Sequence, residues 1–458
     1  MKKLLGSIIA KVTGGVLFGN DRIFTRVSTD TRTIEPGALF VALIGEKRDG
    51  HEFVYDAVAK GAGGVLVNRP FAQEITQIVV KDTFRALQDL ALYNRKELGL
   101  KVIGITGSNG KTTTKDMVRA VLRQKYSVLA TEKNFNNELG VPLTLLSFDE
   151  TTEIGVVEMG MRGSGEIEAL CQIARPDIGI ITNIGEAHIE LLKSRKNIAL
   201  AKSELIKNLP QDGVAIINGD SPHLKEIVFK YPVKKYFFGQ KSGDLYIKKF
   251  IQGEQGLKFT TGGLIEEEFF LPLYGVHNAV NALAAILTGL NFGLTPLVIK
   301  EGLKNVELTG MRLELKTLGN LTIIKDYYNA SPTSMEAALN VLVKISNKGR
   351  KIAVLGEMYE LGDYETLGHR QVGEVAARLG VDYLVTVGPK AREIARGAQE
   401  QGMPTKNTRH FDSKFDAANF LMTFLKPEDA LLLKASRGMK FEELYEIIER
   451  GWKSNGNN

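Results

Sequence analysis

The chain has 458 residues, 43% of them apolar and 24% charged, the balance of an ordinary globular protein with room for roughly two to four domains. Lys and Arg outnumber Asp and Glu by 59 to 53, and the net charge of +6 is spread along the chain without a basic, aromatic-interleaved stripe. Anionic small molecules are therefore a better expectation than nucleic acid. The single cysteine, Cys171, excludes an intrachain disulfide and suits a reducing compartment. No run of about twenty apolar residues offers a membrane span. The start, Met1-Lys2-Lys3-Leu4-Leu5-Gly6-Ser7-Ile8-Ile9-Ala10, has the look of a signal peptide, but Lys11 cuts its apolar run short. A cytoplasmic protein is expected.

Residues 1 to about 80 read as a small α/β unit. Leu39-Phe40-Val41-Ala42-Leu43 and Gly64-Val65-Leu66-Val67 have the pattern of short buried strands, and Phe53 to Val58 that of a helix. Two polar, turn-rich clusters lie among them, Ser28 to Arg32 and Gly45 to His51. Taken alone, both are solvated loops.

The next unit opens with an apolar run, Lys101-Val102-Ile103, followed by Gly104-Ile105-Thr106-Gly107-Ser108-Asn109-Gly110-Lys111-Thr112-Thr113 and a helical segment to Leu122. A strand, a glycine-rich turn and a helix N-terminus form an anion cradle, because free backbone N–H groups and the helix dipole both face the turn. Lys111 would reach the outer phosphates of a nucleotide, and the Thr112 hydroxyl would face a Mg2+ ion. Ile105 stands where the longer P-loop pattern has its first glycine, which leaves the shorter Gly-x-x-Gly-Lys-Thr. Further strands are expected at Ser127–Ala130, Ile154–Val157, Ile178–Ile181 and Val214–Ile217. Helical segments separate most of them, the pattern of a mostly parallel sheet covered on both faces. Ligands of such sheets sit beyond the carboxyl ends of the strands, where Glu158 and Asn183 fall. His188 and Lys202, viewed alone, are a structural histidine and a surface lysine. Residues 235 to 275 suggest a small β excursion. From Arg312 onward a third α/β unit follows, with strands at Leu321–Ile324, Ile352–Leu355, Tyr383–Val387 and Leu431–Leu433.

Several motifs, in one order along almost the whole chain, resemble those of the Mur ligases, ATP-dependent amide-forming enzymes of peptidoglycan and cell wall synthesis. They are Thr106 to Thr113, Glu158, Asn183-Ile184-Gly185 with His188, His277-Asn278-Ala279-Val280-Asn281-Ala282, Gly310-Met311-Arg312-Leu313-Glu314, and Asp326-Tyr327-Tyr328-Asn329-Ala330-Ser331-Pro332. Two stretches, Asn134 to Leu146 and Leu355 to Gly362, resemble the branch that joins D-alanyl-D-alanine to UDP-N-acetylmuramoyl-tripeptide. The Asp-Asn-Pro-Arg tetrapeptide of the diaminopimelate-adding branch does not occur.

The resemblance implies an α/β protein of three domains. These are a small UDP-binding unit at 1–81, a central P-loop ATPase unit with a mostly parallel sheet at 82–311, and a Rossmann-like ligase unit at 312–458. It implies that Ser28, Asp30 and Arg32 bind the UDP group, with Asp49, Gly50 and His51 nearby. Gly107, Ser108, Asn109, Gly110, Lys111, Thr112 and Thr113 would hold the phosphates of ATP. Asn278 and Asn281 would face the adenine, Arg312 the phosphates and Asp326 the ribose. Thr112, Glu158, His188 and a carbamoylated Lys202 would hold Mg2+, two ions in all, and Lys111, His188 and Lys202 would carry the catalysis. Asn134, Asn137, Asn329 and Ser331 would lie along the peptide portions of the substrates. A monomer is expected, closing about hinges near residues 80 and 310. The competing readings are a sister ligase that adds a single amino acid and a P-loop NTPase acting as a switch.

Overall fold

The computed structural model describes residues 1–454, apart from 73, 254, 311, 312, 346 and 347. Three sheets follow one another along the chain. The first is ordered Val16–Phe18, Thr76–Val79, Gly64–Val67, Leu39–Val41 and Val27–Ser28, with only its first pair antiparallel. A two-stranded ribbon, Leu4–Leu5 with Ile23–Phe24, stands beside it. Met1, Leu4, Ile9 and Ala10 are buried, so the apolar start of the chain is core. The helix expected from Phe53 runs Val54–Ala59, after a tight turn at Gly50–Phe53 capped by Asp49.

The central sheet has nine strands among the described residues, ordered Glu268–Leu271, Gly256–Gly263, Leu245–Gly253, Lys234–Gly239, Val214–Asn218, Ile178–Ile181, Lys101–Thr106, Ile154–Glu158 and Val128–Ala130. From Lys234–Gly239 to the last, neighbours are parallel. The β excursion is therefore not separate. Its first strand pairs with Val214–Asn218, and its hairpins extend the same sheet antiparallel.

Near-continuous apolar strands are what burial on both faces requires. Val102, Val157 and Ile181 pack on one side against Leu87, Leu145, Leu170 and Leu205. Ile103, Ile105, Val156 and Ile180 pack on the other against Met117, Val121, Leu283 and Ile299. The third sheet is ordered Glu314–Leu318, Leu321–Lys325, Ala430–Lys434, Lys351–Gly356, Tyr383–Val387 and Thr408–Phe411; all but its first pair are parallel, and apolar clusters lie on both faces. Among the described residues, no helix is long and apolar enough to cross a membrane.

Candidate nucleotide and ligation site

The phosphate turn lies between strand Lys101–Thr106 and helix Lys111–Leu122, which begins directly after Gly110. Gly107 and Gly110 have φ of 152° and 78°, conformations open to glycine at little cost. Lys111 Nζ donates to the Gly107 carbonyl at 2.8 Å and so folds back over its own turn. The turn is pinned from the neighbouring strand end. Asn183 accepts from Ser108 N–H through its carbonyl and from Asn109 N–H through Oδ1, at 3.0 and 2.9 Å. Thr182 Oγ1 donates to the Asn109 carbonyl at 2.6 Å.

Glu158 ends strand Ile154–Glu158 and is buried. Its Oε2 accepts from Thr112 Oγ1 at 2.7 Å, its Oε1 from Asn136 Nδ2 at 2.9 Å, and its N–H donates to Thr131 Oγ1 at 2.9 Å. A carboxylate and a hydroxyl thus share one spot beside the phosphate turn. Asn278 and Asn281 stand in the first turns of helix Val276–Asn291, with Asn281 against Gly110.

The third sheet contributes Asp326, whose Oδ2 lies 2.6 Å from the buried Lys434 Nζ. The same ammonium donates to the Asn329 carbonyl at 3.0 Å. Ser331 caps helix Pro332–Lys344 and reaches Asn109 Oδ1 at 3.4 Å, joining the third unit to the phosphate turn. His277 sits nearby; burial holds its imidazole down to about 4, with the Asp326 charge opposing this and the Lys434 charge adding a smaller push in the same direction as burial.

These groups surround a cavity of about 1140 Å³. Ser108, Asn109, Gly110, Lys111, Thr113, Asn134, Asn137, Glu158, His188, Asn278, Asn281, Asp326 and Asn329 line it. Thr112, Lys202 and Ser331 are buried close behind. Lys202 is on helix Arg195–Lys207; burial, and then the charge of Lys111, pushes its amine well below the ordinary lysine range. His188 has a φ of 65°, and its Nδ1 lies 2.5 Å from Glu360 Oε2 of the third unit. Among the described residues, no three His, Cys, Asp or Glu side chains form a ready metal cluster. Arg312 lies outside the described residues.

The N-terminal cluster stands apart from this cavity. Arg32 makes a forked pair with Asp30, which Arg32 holds at about 2, and Ser28 Oγ closes the turn on the Asp30 backbone. The buried His51 accepts from Asn68 N–H at Nε2, so its Nδ1–H donates to Asp49 at 2.6 Å. Asp49 is held at about 2, first by the His51 N–H and also by the His51 ring and Arg69. Gly50 packs with no room for a Cβ, which would stand 2.6 Å from the Leu43 carbonyl.

Sequence reasoning missed Asn136, Lys434 and Glu360. Asn136 lies between the two asparagines singled out, and Lys434 is a charge ending the apolar run Leu431-Leu432-Leu433. Both were visible signals, but Glu360 had none beyond its motif.

A phosphate turn, a second-strand carboxylate and groups from a third sheet around one cavity define a three-domain, P-loop α/β protein. Family models agree along the chain. The Mur ligase family catalytic domain matches residues 24–106, the Mur ligase middle domain 105–289, and the Mur ligase glutamate ligase domain 311–437. The chain belongs to the Mur ligase family. It is 45% identical over 428 residues to the UDP-N-acetylmuramoyl-tripeptide--D-alanyl-D-alanine ligase of Bacillus subtilis, which covers 92% of this chain and 93% of that one. A crystal structure of MurF from Acinetobacter baumannii is similar with a TM-score of 0.89 and 32% identity, over 98% of this chain and 99% of that one. The MurF ligase from Thermotoga maritima in complex with ADP is similar at 0.83 and 28%, over 94% and 98%.

Proposed function

We propose that the chain joins D-alanyl-D-alanine to UDP-N-acetylmuramoyl-tripeptide at the expense of ATP, yielding the pentapeptide precursor of peptidoglycan. The observation that carries this reading is the single cavity in which the phosphate turn, Glu158 and the Asp326–Lys434 pair meet. The choice of substrates rests on the likeness to relatives named for them. We divide the chain at 81/82 and 311/312, since each sheet lies within one of the resulting units.

A carboxylate has a poor leaving group, so it must be activated before an amine can attack. The terminal carboxylate of the tripeptide attacks the γ-phosphorus of ATP, forming an acyl phosphate and releasing ADP. The free amine of the dipeptide then attacks the acyl carbon, loses a proton, and inorganic phosphate leaves. Lys111 and the N–H groups of Ser108 to Thr113 bind the phosphates. Asn278 and Asn281 serve the adenine and Asp326 the ribose, and the role proposed for Arg312 is phosphate binding. Asn134, Asn137, Asn329 and Ser331 orient the peptide groups, and Ser28, Asp30, Arg32, Asp49, Gly50 and His51 hold the UDP end. The third unit covers the cavity and excludes water that would hydrolyse the acyl phosphate.

The Thr112 hydroxyl beside the Glu158 carboxylate is a hard-oxygen donor set that fits Mg2+. His188 and a carbamoylated Lys202 complete the residues that would hold two such ions. When bound, Mg2+ supplies charge neutralisation on the transferring phosphoryl group. The lowered amine of Lys202 increases its neutral, nucleophilic fraction, the form that takes up CO2. In this reading the chain acts as a monomer. The cytoplasm, with its ATP and its reducing conditions for Cys171, suits the chemistry.

The test is phosphate release with Mg-ATP, UDP-N-acetylmuramoyl-tripeptide and D-alanyl-D-alanine, omitting each in turn, with product mass measured. Turnover that needs all of them and gives the pentapeptide supports the reading. Turnover with a dipeptide donor and one amino acid would transfer the protein to the sister branch. ATP hydrolysis indifferent to both would sink the ligase reading.

A further inference from the structure

Directly after the phosphate turn, helix Lys111–Leu122 carries two adjacent charges that the nucleotide site does not use, Lys115 and Asp116. Both side chains are 2% exposed, and Lys115 Nζ lies 3.1 Å from Asp116 Oδ1. Adjacent residues on a helix do not ordinarily face each other. These two meet because both turn toward Thr309. Asp116 accepts from Thr309 N–H at 2.7 Å and from Thr309 Oγ1 at 3.0 Å, while Lys115 Nζ approaches the same hydroxyl at 3.4 Å. Lys115 also donates to the Thr131 carbonyl at 2.8 Å, and Thr131 Oγ1 accepts the backbone N–H of Glu158.

One buried pair therefore ties three points together. The first is Thr131, which holds Glu158 from behind. The second is the helix itself. The third is Thr309, five residues before Glu314 begins the sheet that carries Asp326, Asn329 and Lys434 into the cavity. Burying two charges is costly, and apolar residues such as Val118 and Val121 on the same helix show that packing alone does not demand them.

We propose that Lys115 and Asp116 are positioning residues for the ligation: their pair sets the Glu158 carboxylate and the exit of the chain at Thr309 relative to the bound phosphates. The proposal rests on the ligase reading above. It is tested in the full-length chain with Thr309→Val, Asp116→Asn and Thr309→Ser. Turnover at saturating substrates, KM for ATP, ADP binding by calorimetry and the melting temperature are measured beside the parent.

Thr309→Val and Asp116→Asn are expected to lower kcat by about tenfold or more, since small misplacements of reacting groups are expensive. KM for ATP and ADP affinity should stay within about twofold, as befits an effect on the reacting geometry rather than on nucleotide binding. Thr309→Ser, which keeps the hydroxyl, should retain the parent rate. Unchanged kcat per folded molecule with a lower melting temperature would reduce the pair to a structural clamp and overturn the proposal. ADP affinity lost in step with kcat would overturn it too, confining the pair to the phosphate turn. A parent that does not ligate would instead sink the ligase reading.

Discussion

Burial acts on single side chains here by deciding which of them can carry a charge. His369 is fully buried; its Nε2 accepts Met358 N–H at 3.0 Å and its Nδ1 donates to the Glu365 carbonyl at 2.8 Å. Burial lowers its pKa, and it lowers that of His277 to about 4. In the unfolded chain both would titrate near the ordinary histidine value of about 6.5. Their folded forms therefore bind fewer protons, and the stability they confer is full above that value and is lost as pH falls toward 4. Urea unfolding followed from pH 7 to pH 4 should show declining stability, with a shallower slope in His369→Asn. A flat profile would contradict the neutral assignment. Asp30 and Asp49, held at about 2, add a separate loss that belongs below pH 4.

At the scale of elements, the strand–turn–helix at residues 101–122 depends on two backbone positions. A Cβ on Gly107 would meet Thr182 Oγ1 at 1.9 Å, and one on Gly110 would meet Asn281 Oδ1 at 2.7 Å. An alanine at Gly110 would also occupy a left-handed conformation, at roughly 1–2 kcal/mol. The turn would have to open or Asn281 give way, and either disturbs the nucleotide site. Gly110→Ala is expected to weaken ADP binding by about tenfold or more, measured by calorimetry on folded protein. Affinity equal to the parent would remove this turn from the phosphate site. The nearby pairing of Asp326 with Lys434 was hidden from such local reasoning, because the partners are 108 residues apart.

Over the whole molecule, the central and third units touch through polar contacts around the cavity and through Ile189 and Tyr274, which pack against the apolar cluster of the third unit. Ser331 meets Asn109, Glu360 meets His188 and accepts from Glu190 N–H, and Glu186 pairs with Thr333 across the gap and with Arg195 in its own unit. Interfaces between units of one chain permit relative motion unless they are large and mainly apolar. We expect small-angle scattering to show compaction when a non-hydrolysable ATP analogue and the UDP-N-acetylmuramoyl-tripeptide are added together, with hinges near residues 80 and 310. Identical scattering curves would rule the closure out.

The local parts of this protein were legible in the order of its residues. The apolar strands, the glycine turn and helix from Gly107 to Leu122, and Glu158 and Asn183 at strand ends could all be read because neighbouring residues specify them through backbone conformation and hydrophobic period. The joining of residues 235–271 to the central sheet was decided only in three dimensions, since strand pairing depends on partners outside the segment. So was the meeting of Asn136 with Glu158, of Glu360 with His188, and of Lys115 and Asp116 with Thr309. Each of those contacts is a hydrogen bond or ion pair between separate elements. Such a pair has no period and no propensity, and exists only once packing has brought its two ends together.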